Sequence, residues 1–353
     1  MSRGDSRPER TSPRFHVLAV LSLACLAATC GDRKRAAGND PKIPSMPILQ
    51  KPANIPTDLG ERALRHMQTL VSFGVRTPGS VGIRRQLDYV AGQLEALGVP
   101  VRRDRFRDAR ENLEFENLYA RLGGRPGDYI LLGAHHDTKI TEGHPDSSHN
   151  FHFVGANDGA SGVALLLALA EHFVQHPPPV TVELAFFDGE ESIPYKWDMQ
   201  RALFGSRRYV DQYRAERVKS PSAPRIGAMI LFDMVAATDL QVDDDTNSDP
   251  TLKAITLAAA KACGHERYFF AQRHAVTDDH LPFRDAGIPV VDWIDLANNP
   301  QWHTPNDTLE HVSAASVQIV AETFLTALPL IVERFAPAPM PSNDDVLGPK
   351  GKG

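Results

Sequence analysis

Glu190 and Glu191 stand side by side after Phe186-Phe187-Asp188-Gly189. Two adjacent glutamates at one strand end cannot both point at the same atom. The pair therefore suits a division of labour, one carboxylate binding a metal and the other moving protons. A third carboxylate, Asp158, lies in Gly155-Ala156-Asn157-Asp158-Gly159, and a histidine, His303, lies in Gln301-Trp302-His303-Thr304. Asp158, Glu191 and His303 offer the nitrogen and oxygen donors that zinc prefers. Three protein ligands would leave the fourth position open, as catalysis requires. Glu190 would then face that open position and carry protons. Each cluster alone has a plainer explanation, since loop carboxylates are usually solvated and Asp158 has the composition of a helix cap.

The elements between these clusters make the plainer explanation hard to sustain. Strand-like apolar runs occur at 129–134, 180–187, 229–233 and 288–294. Helical stretches are expected at 61–73, 82–97, 160–175, 202–214, 250–263 and 312–334, the second with Leu87, Val90, Leu94 and Leu97 at three- and four-residue spacing. Continuous apolar strands interleaved with helices predict a single-domain α/β fold: a twisted, mostly parallel or mixed sheet with helices on both faces. Chemistry in such folds gathers beyond the carboxyl ends of the strands. His135-His136-Asp137-Thr138-Lys139, the Asp158 segment, Asp188–Glu191, Asp233, Asp278-Asp279-His280 and Trp302-His303 all fall at that one expected edge. His144, His149 and His152 lie in a turn-rich stretch without zinc-ligand spacing and read as exposed residues near the entrance.

The ends of the 353-residue chain have a different character. Residues 1–30 carry a basic flank, a short apolar run and small residues before Cys30, the pattern of a secretory or lipoprotein signal. An exported protein, periplasmic or extracellular, follows, and a lipid on Cys30 would attach it to a membrane. Residues 31–58 read as a linker, 59–335 as the catalytic domain, and the proline- and glycine-bearing 336–353 as a disordered tail. A net charge of −6 argues against a nucleic-acid partner. Cys25, Cys30 and Cys263 are too few for a disulfide framework or a four-cysteine zinc site. Gly159-Ala160-Ser161-Gly162 lacks the spacing of a serine-hydrolase elbow, and there is no Gly-Lys-Ser/Thr phosphate loop.

Taken together, His135-His136-Asp137, Asn157–Gly162, Phe186–Glu191, Asp233 and His303-Thr304 resemble the zinc aminopeptidase superfamily, over nearly the whole expected fold from Arg76-Thr-Pro-Gly-Ser80 to Phe335. Within it the chain is most similar to the glutaminyl-peptide cyclotransferases. Trp302 directly before His303, Asp278-Asp279-His280-Leu-Pro-Phe283, and Lys139 after the His-x-Asp motif carry that likeness. The resemblance implies one zinc per chain on Asp158, Glu191 and His303. It implies a proton shuttle on Glu190, a hydrogen-bonded acidic pair of Asp233 and Asp278, and a substrate pocket lined by Trp302 with Trp197 at its mouth. The substrates would be peptides with an N-terminal glutamine, acted on by a monomer. A cysteine that some relatives carry before the His-x-Asp motif is here Ala134, so their disulfide is absent.

Two other readings stand beside this one. In a two-zinc aminopeptidase, His135, Asp158, Glu191, Asp233 and His303 would all bind metal, and all are present. A binding module that had lost its chemistry would be expected to lack a ligand or the base, and none is missing.

Overall fold

The computed structural model describes residues 46–337. The signal segment, most of the linker and the tail after Pro337 lie outside the described residues. The chain opens with helices α1 (Leu59–Ser72) and α2 (Val81–Ala96) and the strands β1 (Val101–Asp108), β2 (Leu113–Leu122) and β3 (Arg125–His135). Helix α3 (Ala160–Gln175), strand β4 (Val180–Phe187), helix α4 (Phe204–Lys219) and strand β5 (Ile226–Asp233) follow. The last part comprises β6 (Val242–Asp245), α5 (Pro250–Cys263), β7 (Phe269–His274), α6 (His280–Asp285), β8 (Val290–Ile294) and α7 (Ala314–Phe335).

Six strands form the main sheet in the order β1-β2-β4-β3-β5-β8, and β6 and β7 pair separately. β4, β3, β5 and β8 run parallel, while β1 and β2 are antiparallel additions at one edge. Side chains alternate across a strand. Ile130, Leu132 and Ala134 of β3, with Ala228, Ile230 and Phe232 of β5, face a large core under α1, α2, α3, α5 and α7. Tyr129 and Leu131, with Met229 and Leu231, face a smaller core under α4 and α6. Both faces are dry, which is why these strands read as unbroken apolar runs.

The six helices expected from periodicity all form, α3 and α5 at the expected bounds and the other four with ends shifted by one to five residues. β1, β2, the β6–β7 pair and the six-residue α6 were not anticipated. β1 is Val-Arg-Arg-Asp-Arg-Phe-Arg-Asp, an edge strand with a solvated face. It is held through Arg103 and Arg105 to Glu116, and its charges hide the strand signal while discouraging edge-to-edge pairing. α7 is long and apolar, and most of it is buried in the large core. Because β4, β3, β5 and β8 are parallel, His135, Asp188, Asp233 and Asp295 emerge from one edge of the sheet.

Candidate active site

The loops beyond that edge bring the sequence-selected residues together around one cavity of about 270 Å³. Its walls include Asp158, Glu190, Glu191, Trp197, Asp233, Asp278, Trp302 and His303. Met234, Val276, Ile294 and Leu296 give it an apolar side. A larger groove of about 510 Å³ lies between α4 and the sheet. Its buried polar groups satisfy one another, Tyr209 donating to Glu183 and sharing a hydrogen bond with Tyr129, so the chemistry belongs to the smaller cavity.

His303 follows Trp302 in the turn before α7 and has a left-handed backbone, φ 51°. A non-glycine residue there costs about 1–3 kcal/mol, a strain that marks functional positions. Its Nε2 lies 3.0 Å from Glu191 Oε1 and 3.4 Å from Asp158 Oδ2. Asp158 Oδ2 is buried and has no hydrogen-bond partner. The three donors lie within 4.8 Å of one another. Two carboxylates converging on an imidazole, with an unsatisfied oxygen between them, fit a divalent metal. Burial alone would lower the His303 pKa, but Glu191 and Asp158 outweigh it and raise it to about 9. Burial opposes ionisation of Asp158, yet the neighbouring His135 and His303 rings hold its carboxyl well below the usual range.

A second group adjoins the first. His135 Nε2 is 3.1 Å from Asp233 Oδ1 and 3.2 Å from Asp158 Oδ1, so His135, Asp158 and Asp233 are also within metal-binding reach of one another. Burial would lower His135, but Asp233, Asp137 and Asp158 hold its pKa well above the ordinary value.

Glu190 is directed by its backbone. Asp137 accepts hydrogen bonds from the amides of Glu190 (3.1 Å) and Glu191 (3.3 Å), so the second residue after His135 fixes both glutamates. Burial, then the Asp278 and Glu191 charges, push the Glu190 carboxyl well above its normal pKa. Asp278 is raised well above its own by burial and by Asp233 and Asp279. The expected hydrogen bond between Asp233 and Asp278 is not formed. Asp233 Oδ1 is engaged by His135, and Asp278 Oδ1 accepts from the Asp279 amide, leaving Asp278 Oδ2 buried without a partner. Their coupling in this structure is electrostatic.

Trp302 is 43 % exposed and its ring stacks on His303, with centroids 4.3 Å apart; Trp197, 36 % exposed, shares the cavity. Both are rim residues rather than core tryptophans. His149 stacks on Tyr195 at 3.8 Å, and Tyr195 donates to the His303 carbonyl at 3.4 Å, so the histidine-bearing loop lies at the entrance. Asp279 is bound by Ser206, and His280 lies 3.3 Å from both Asp245 and Asp292; neither lines the cavity. Sequence reasoning missed Tyr195 and Asp307. Asp307 accepts from the Asn157 (2.7 Å) and Asp158 (3.0 Å) amides. Lys139, fully buried, donates to the Ser192 carbonyl at 2.7 Å and lies 3.4 Å from Glu191 Oε2. The available signal for Asp307 was an acid four residues after His303.

Comparison with known proteins bears on the family and the fold. The model of Peptidase family M28 matches residues 117–328. The chain is 31% identical over 261 residues to the glutaminyl-peptide cyclotransferase-like protein of Mus musculus, covering 66% of this chain and 66% of that one. The crystal structure of the Acidobacteriales bacterium glutaminyl cyclase superposes with a TM-score of 0.72 at 32% identity, covering 82% of this chain and 99% of that one. A leucine aminopeptidase precursor from Bacteroides thetaiotaomicron VPI-5482 superposes with a TM-score of 0.67 at 26% identity, over 80% and 99% of the two chains.

Proposed function

The chain belongs to Peptidase family M28, and from that premise we propose that it is a zinc-dependent glutaminyl-peptide cyclotransferase, converting the N-terminal glutamine of peptides to pyroglutamate with release of ammonia. The observation that carries this reading is a buried Glu190, its pKa raised by burial and by Asp278, beside the Asp158, Glu191 and His303 donor set, in a small pocket rimmed by Trp302 and Trp197. One zinc ion on that set would act as a Lewis acid on the substrate γ-carbonyl.

The protein's residues do the rest. The α-amine and γ-carboxamide belong to one molecule, so ring closure needs orientation and proton transfer but no water. Trp302 and the apolar wall hold the glutamine side chain folded. The α-amine nitrogen bonds to the γ-carbon, and the bond from that carbon to the amide nitrogen breaks. Glu190 takes a proton from the amine and delivers it to the departing nitrogen, which leaves as ammonia. A carboxyl raised above its ordinary range by burial and by Asp278 is better suited both to take up and to give back a proton. Asp278, beside it and also protonable, can hydrogen-bond the amide nitrogen; Asp233 keeps His135 oriented.

Mass spectrometry of an N-terminal-glutamine dipeptide after incubation tests the reading. A product lighter by one ammonia supports it, and a cleaved peptide bond contradicts it. The second reading, a two-zinc aminopeptidase, is favoured by one observation: His135, Asp158 and Asp233 form a second possible metal group. Zinc content separates the two, about one ion per chain against about two. We also propose that the protein is exported as a monomer with a lipid on Cys30. Cys30→Ser would then release it from membranes, and sizing chromatography would show one chain per particle.

A further inference from the structure

We infer that Arg76 and Asp307 are positioning residues that hold the Asp158 loop as a preformed part of the metal site. The inference rests on the reading of Asp158 as a metal ligand.

Residues 154–159 turn sharply into α3. Gly155 (φ +51°) and Gly159 (φ +90°) both have left-handed backbones. A Cβ at 155 would lie 2.2 Å from the Asp158 carbonyl oxygen, and one at 159 would lie 2.5 Å from that of Asp137. A loop folded this tightly inside the protein cannot pair its own backbone groups, and each buried one needs a partner. Two side chains supply them. The Arg76 guanidinium donates to the Val154 and Gly155 carbonyls, the latter at 2.9 Å. The Asp307 carboxylate accepts from the Asn157 amide with one oxygen and from the Asp158 amide with the other. A guanidinium thus serves the loop's carbonyls and a carboxyl group serves its amides, from opposite ends of the same short segment.

Both residues belong to a frame shared with the other ligand loop. The Arg76 amide donates to Thr138 Oγ1 at 3.0 Å, and the Thr138 amide donates back to the Arg76 carbonyl at 3.3 Å. Thr138 follows Asp137, whose carboxylate holds the Glu190 and Glu191 amides. On the other side, Asp307 lies four residues beyond His303, and its carbonyl accepts from the Ala156 amide at 3.2 Å. Displacing either residue therefore moves Asp158 relative to Glu191 and His303. Arg76 is fully buried and Asp307 nearly so, and neither lines the cavity. Neither touches substrate, so they act through Asp158.

The test is zinc binding by the full chain. Arg76→Lys keeps the charge but loses the two-pronged donor; Asp307→Asn keeps the shape but replaces one acceptor with a donor. Zinc affinity is measured by competition with a chelator of known strength, and melting is followed with zinc and after its removal. The expected result is a loss of zinc affinity of about 10- to 100-fold, the range for groups that orient ligands. Zinc should also raise the melting temperature less in the variants than in the parent. Affinity within about twofold of the parent in a folded variant would overturn the inference. So would equal destabilisation of the zinc-loaded and zinc-free forms, which marks a general structural role. If Arg76→Lys fails to fold, Asp307→Asn decides by the same two readouts. A parent chain that takes up no zinc would instead refute the ligand reading of Asp158.

Discussion

Replacing Glu190 with glutamine removes one ionisable group and keeps the size and shape of the side chain. The Glu190 amide would stay on Asp137, so the side chain would still enter the cavity. A glutamine there can hydrogen-bond the substrate amine but cannot accept its proton. A positioned acid or base contributes about 10²- to 10⁴-fold, and here one carboxylate serves both the abstraction and the delivery. The expected loss in kcat is therefore about 10³-fold, or ~4 kcal/mol of barrier. KM should change little, because Trp302 and the apolar wall remain. The pH dependence follows from the same group. Burial beside Asp278 and Glu191 raises the Glu190 pKa well above 4.5, so the parent's activity should climb with an ionisation nearer neutrality than an ordinary glutamate shows. The variant should lose that limb. Stability supplies an independent sign. A carboxyl with a raised folded-state pKa imposes no penalty below its unfolded value of 4.5. The penalty accumulates as pH rises from there to the folded value and then stays constant. Glu190→Gln should therefore raise the melting temperature of the zinc-free protein at alkaline pH and leave it nearly unchanged at acid pH. The assay is steady-state ammonia release from a glutamine dipeptide across pH, with zinc content measured alongside. Retention of more than about a tenth of the parent's kcat, with zinc unchanged, would refute the proton-shuttle role.

Three further expectations concern other parts of the site. His303→Ala should reduce zinc content from about one per chain to near zero and abolish ammonia release, as read by metal analysis and by the same assay. In the zinc-free parent, His303 has a pKa raised to about 9 against its ordinary 6.5. The stability this brings is complete below 6.5 and is lost as pH rises through about 9, so calorimetry should show a decline over that window that His303→Ala lacks. Trp302→Ala should raise KM about tenfold, ~1.4 kcal/mol, with zinc content unchanged and kcat altered far less; a fall in kcat alone would place Trp302 outside substrate binding.

What could be read from the sequence depended on whether a residue's role leaves a periodic or compositional trace. β3, β4 and β5 announced themselves because both their faces are dry, and α3 because its apolar residues recur all around it. The charged edge strand β1 left no such trace, since its arginines answer acids on β2 and α2. At the site, residues that bear chemistry were legible because parallel strands deliver them to one edge. Arg76 and Asp307 were not read as site residues, because each works on backbone groups of a loop far away in sequence, and an arginine that serves carbonyls looks like any other arginine. The Asp233–Asp278 hydrogen bond is not formed: His135 engages Asp233 Oδ1 and the Asp279 amide donates to Asp278 Oδ1, while Asp278 Oδ2 has no partner.

The most direct test of the proposed function is to titrate metal-free protein with zinc while measuring ammonia and free amino acid from matched glutamine and leucine dipeptides. Ammonia release from the glutamine peptide alone, rising linearly and saturating at about one zinc per chain with the peptide bond intact, is the predicted result. Release of free amino acid from the leucine peptide, appearing only as a second zinc binds, would contradict it and place His135 and Asp233 in the metal shell.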